Sequence, residues 1–79
     1  MKDKCNLICE LNYFLIKNNN DYISFDIIDN FDEIKLIFNN SNSASLFCFE
    51  IFNKNDNLFL DLRNKYTNFY TNEQDLIFY

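Results

Sequence analysis

The side chains that could do chemistry are three cysteines, Cys5, Cys9 and Cys48, and a knot of carboxylates at Asp26, Asp29, Asp32 and Glu33. A nucleophilic cysteine needs a neighbour that favours the thiolate, and this sequence has no histidine to serve as one. Cys5 has only Lys4 beside it, so the three thiols read as small apolar residues of a core or its margin. A zinc site from Cys5, Cys9 and a carboxylate is a poor match, because three residues intervene and only one further cysteine exists. Carboxylates such as Asp26, Asp29, Asp32 and Glu33 flank the cleft in glycosidases and metal-dependent nucleases. A hairpin tip on a 79-residue chain offers little cleft, and the stretch lacks the glycine and ligand spacing of a calcium loop. The four therefore read as a solvated acidic face with no catalytic, cofactor or metal role.

What the chain lacks narrows the field further. Without histidine it has neither the commonest general base nor the commonest metal ligand. Without glycine it cannot build a phosphate-cradling loop or a nucleophile elbow. An enzyme is not expected, and no cofactor is implied. Proline and tryptophan are absent too, while Asn occurs fifteen times. That skew fits AT-rich coding, as in a low-GC bacterium or one of its phages. With no glycine, left-handed turn positions should fall to Asn.

The charge is unevenly placed. The net of −5 is exceeded by residues 18 to 62 alone, where eight acids face Lys35 and Lys54 for a net of −6. Such a field repels phosphate backbones, so direct nucleic-acid binding is not expected. It attracts a basic protein surface and competes with nucleic acid for it. Ten Phe and five Tyr supply more aromatic surface than one small core takes up. Phe31, Phe52 and Phe59 are the aromatic candidates for a partner surface.

These features have to be positioned by elements short enough for 79 residues, which form one domain over 1–79. Apolar residues alternate with period two between Asn-rich breaks, which predicts a mainly β fold, with α+β as the alternative. Cys5, Leu7, Cys9, Leu11, Tyr13 and Leu15 alternate as a first strand, although Leu7, Ile8, Leu11, Phe14 and Leu15 also share a helical face. Ile23, Phe25 and Ile27, then Ile34, Leu36 and Phe38, predict a hairpin around Asp29 to Glu33. Phe47, Phe49 and Ile51, then Leu58, Leu60 and Leu62, predict a second hairpin. Thr71 and Gln74 resemble a capping box for a short C-terminal helix. The expectation is a single antiparallel meander of four or five strands, curled on itself or covered by that helix or a partner subunit.

The longest apolar runs are four residues, so no membrane-crossing segment is expected. No secretory leader is evident, since Asn6, Glu10 and Asn12 interrupt the only candidate, which points to reduced cysteines in the cytoplasm. The profile is that of a non-enzymatic protein-binding module, a small acidic inhibitor or regulator docking on a basic, nucleic-acid-handling protein. Phage anti-defence proteins, including inhibitors of CRISPR effectors, fit that profile, though no family motif carries the assignment here. The alternative is a structural or accessory subunit acting through homo-oligomerisation.

Overall fold

The computed structural model describes residues 3–79 and is α+β: helices take 47% of it and strands 26%, which overturns the mainly β expectation. The order is α1 (Lys4–Lys17), β1 (Phe25–Asn30), β2 (Glu33–Phe38), α2 (Ser41–Asn53), α3 (Asn57–Lys65), β3 (Phe69–Asn72) and β4 (Asp75–Phe78). The four strands form one antiparallel sheet in the order β1-β2-β4-β3, so β4 inserts beside β2 and the topology is not a simple meander. Two hairpins, one from each side of the α2 and α3 insertion, thus meet at the sheet's centre.

The helices form where apolar residues could also have alternated. In α1, Leu7, Leu11 and Leu15 recur every fourth residue and are all fully buried. That stripe lies on one face of a helix with Ile8 and Phe14 packed beside it, whereas a strand would have turned Ile8 and Phe14 to the opposite side. Asp3 caps the start by accepting from the Asn6 amide at 2.9 Å, and Asn18 closes the end by donating from Nδ2 to the Phe14 carbonyl at 2.8 Å. The expected second hairpin is instead the pair α2 and α3. Asn40 caps α2 through the Ser43 amide at 2.9 Å, and Ala44, Phe47 and Ile51 then follow one face at helical spacing. Arg63 holds the connection between the two helices, donating to the Ile51 carbonyl at 2.6 Å and the Lys54 carbonyl at 3.2 Å. These last carbonyls of α2 have no intrahelical partner, and the guanidinium supplies one.

The C-terminal helix is corrected to the hairpin β3-β4. Asn72 faces Asp75, so Glu73 and Gln74 make the two-residue turn. Glu73 takes the left-handed φ of 56°, the position expected to fall to Asn. The hairpin of β1 and β2 forms as anticipated, with Asn30 opposite Glu33 and Phe31 and Asp32 at the tip.

One face of the sheet carries Ile34, Leu36, Phe38, Leu76 and Phe78, all buried beneath the helices. Phe47 of α2 lies at the centre, with ring centroids 5.7 to 6.3 Å from those of Phe14, Tyr22, Phe38, Phe59 and Phe78. Inside this apolar layer Tyr22 donates its hydroxyl to Glu50 Oε1 at 3.1 Å, and Lys54 Nζ stands 3.4 Å from the other carboxylate oxygen. A buried acid is tolerable only with such partners.

Candidate interaction surface

Among the described residues no helix covers the opposite face of the sheet. Strand alternation sends Asp26, Ile28 and Asn30 of β1 to that side, and the pairing register aligns them with residues of the other strands. One cross-strand row reads Asp26, Ile37, Asp75, Asn72, and the next reads Ile28, Lys35, Ile77, Tyr70. Glu33 extends the surface opposite Asn30. Ile28 and Tyr70 are exposed, Tyr70 by 52%, and Ile37 and Ile77 are half-buried by their neighbours alone. The result is a strip of aliphatic and aromatic surface set among carboxylates.

The electrostatics of this face come down to few groups. Lys35 Nζ lies 3.5 Å from Asp75 Oδ2 on the adjacent row, which offsets one acid on this face. Glu33 accepts from Asn30 Nδ2 at 3.1 Å, a neutral donor that leaves its charge in place. Among the described residues Asp26 has no ion-pair partner. The uncovered face is therefore acidic as well as partly apolar.

The four predicted carboxylates lie in one hairpin but not on one face. Asp26 and Glu33 point to the open side, and Asp32 sits exposed in the turn. Asp29 points to the helix side, because it shares the parity of Phe25 and Ile27. There Lys4 Nζ approaches its Oδ1 at 2.5 Å and also donates to the Phe31 carbonyl at 3.1 Å and to the Asn30 carbonyl. Lys4 thus fastens the start of α1 to the tip of the first hairpin, and Asp29, paired with it, lies off the open face of the sheet.

The aromatic candidates also separate. Phe31, at the hairpin tip, is 94% exposed and protrudes beside Asp32. Phe52 is exposed at the end of α2, where its ring meets that of Phe69 edge-on at 5.2 Å. Phe59 is fully buried against Phe14 and Phe47 and is withdrawn as a binding residue. Its placement follows from the helix that replaced the predicted strand: in α3 Leu58, Phe59 and Leu62 share the inward face, whereas a strand would have turned Phe59 outward. Phe49, expected inside, is exposed for the same reason in α2.

Sequence reasoning missed Ile28, Ile37, Ile77 and Tyr70 as a surface. A signal was present, since Ile34, Leu36 and Phe38 alternate with Lys35 and Ile37, and an apolar residue on the polar parity of a strand marks a second contact face. Among the described residues no group of three or more His, Cys, Asp and Glu is arranged to hold a metal ion. No helix of the described residues is long and apolar enough to cross a membrane. The chain matches no protein-family model, no curated protein and no solved structure.

Proposed function

We propose that this chain is a non-enzymatic protein-binding module that docks the uncovered face of its sheet on a basic protein. The observation that carries the reading is the one-sided helix layer, which leaves Ile28, Ile37, Ile77 and Tyr70 uncovered beside the carboxylates of Asp26 and Glu33. Four strands of four to six residues present a footprint of roughly 14 by 20 Å. That falls well short of the ~800 Å² per partner of a standard interface. The docking surface therefore continues over the rim to the Phe31 tip, whose exposed ring supplies the anchor that the flat face lacks.

An acidic strip with an apolar centre suits a groove built to hold nucleic acid, which is basic and lined by residues that stack or pack. Occupying such a groove excludes its normal ligand, so an inhibitor or regulator of a nucleic-acid-handling protein, of the anti-defence kind, is the functional reading. The three unpaired cysteines suit the reducing cytoplasm as its place of action.

The test is capture of partners by the immobilised chain at low and high salt, in parallel with Asp26→Lys/Glu33→Lys and Phe31→Ala variants. Expected is a basic partner retained by the parent chain, weakened by salt, and lost by both variants while their circular dichroism stays unchanged. Retention of the same partner by the charge-reversed chain would remove the open face from the interface. A second reading, an accessory subunit that acts by self-association, is favoured by Tyr13 and Ile16, both exposed on α1. Light scattering showing a salt-independent dimer would put it first.

A further inference from the structure

The outer side of α1 turns two thiols to solvent. Cys5 and Cys9 are both exposed and four residues apart, so they stand one turn apart on the same side of the helix. Residues at this spacing hold their Cβ atoms about 5 to 6 Å apart. An intrahelical disulfide needs about 3.5 to 4.5 Å and would distort the helix. An ion placed between the two sulfurs spans a longer gap than a direct sulfur–sulfur bond does.

The number and kind of donors select the ion. The described residues assemble no third His, Cys, Asp or Glu into a metal-holding group, so the pair offers two sulfur ligands and no more. Structural zinc takes four ligands and catalytic zinc three from the protein, and calcium and magnesium want oxygen. Two soft donors alone match a soft monovalent ion that accepts linear two-coordination. Cys48 is different in kind: it is half-buried on α2, and burial pushes its thiol up, away from the thiolate a metal requires. Cys9 also borders a shallow, open recess of about 330 Å³ lined by Glu10, Tyr13, Phe14 and Leu58.

We propose that Cys5 and Cys9 form a two-thiolate site for a soft monovalent metal ion, copper(I). Binding releases the two thiol protons to solvent and forms two metal–sulfur bonds, so the chain's net charge falls by one with no change of oxidation state. The full chain is titrated anaerobically with copper(I), and in parallel with silver(I) as an air-stable equivalent, followed by native mass spectrometry and thiolate-to-metal ultraviolet absorption. One ion per chain is expected for the parent and for Cys48→Ser. Cys5→Ser and Cys9→Ser should each weaken uptake about tenfold or more, because the second sulfur no longer acts at a high effective concentration. Both positions are exposed, so unchanged circular dichroism separates loss of a ligand from loss of fold. Undiminished uptake by Cys9→Ser, or loss of uptake by Cys48→Ser, would overturn the proposal. So would a zinc-dependent dimer that shares four thiols between two copies. Metal uptake and partner capture are separate readouts, so failure of one leaves the other intact.

Discussion

The two faces of the sheet are built from the same strands, yet they solve different problems. The covered face is wholly aliphatic and aromatic along β2 and β4, with Ile34, Leu36, Phe38, Leu76 and Phe78 all excluded from water. The open face interleaves Ile37 and Ile77 with Lys35 and Asp75, and Ile28 with Asp26, so no residue there is withdrawn from solvent completely. A face kept only for solubility would carry charge at every second position, and one kept only for packing would carry none. The mixture suits a surface that must stay wet alone and become dry against a partner. Stability should therefore reside on one side of the sheet and recognition on the other.

The largest expected effect belongs to the covered side. Phe47 fills the space between five other rings, and Phe47→Ala leaves a cavity that rigid strands on one side and helices on the other cannot close. A loss of about 3 to 5 kcal/mol is expected from urea unfolding. Ile28→Thr, which keeps a β-branched residue on the open side, should cost about 0.5 kcal/mol. Similar losses at the two positions would break the division between faces.

The next effect tests the polar pair within the core. Tyr22→Phe removes the donor to Glu50 and leaves a buried carboxylate oxygen without its hydrogen bond, a cost of about 1 to 3 kcal/mol. Burial, and then the neighbouring Glu50 charge, hold the Tyr22 hydroxyl well above its ordinary value of 10.0. The folded chain thus keeps the proton at pH values where the unfolded chain gives it up. This contribution is complete below pH 10.0 and is lost progressively as pH rises beyond it. Unfolding followed from neutral to strongly alkaline pH should show a shallower fall for Tyr22→Phe than for the parent chain. Equal slopes would mean that Tyr22 is free to ionise in the folded state.

The first hairpin was legible because Phe25 and Ile27 alternate with Asp26, and Leu36 with Lys35, so each strand announces two unlike sides. Residues 47 to 62 were not, because Phe47, Phe49 and Ile51 alternate as cleanly as a strand while Phe47 and Ile51 also fit a helix. What decides between the two is the cap at Asn40 and the docking of Ala44, Phe47 and Ile51 on a sheet that local sequence does not display. The consequence reaches the site: Phe59 lies on the outer side of a strand but on the inward face of the helix that forms. Asp29 groups with Asp26 in the sequence for a related reason. Proximity in sequence showed that the acids cluster, but only the strand's parity shows which side each one serves.

A smaller effect, of opposite sign, is expected at the second hairpin. Glu73 sits at φ 56°, where a side chain with a Cβ is strained and glycine is not. Glu73→Gly should raise stability by about 1 kcal/mol, seen as a higher urea midpoint with an unchanged slope. No gain would mean that the turn relaxes to a conformation that carries no strain.

The smallest effect on stability is the sharpest test of the two faces. Asp26 and Asp29 lie three residues apart on one strand, carry the same charge and differ in the side of the sheet they occupy. The pair of Asp29 with Lys4 is partly solvated, the Asp29 side chain being 57% exposed, so Asp29→Asn should cost no more than about 1 kcal/mol. A partner attracted only by the summed negative field would respond alike to Asp29→Asn and Asp26→Asn, since each removes one charge. A partner seated on the open face responds to Asp26→Asn and is indifferent to Asp29→Asn, because Lys4 already neutralises that carboxylate on the far side. Association measured for both variants at two salt concentrations decides the matter, and equal weakening by the two would reduce the acidic face to a diffuse charge.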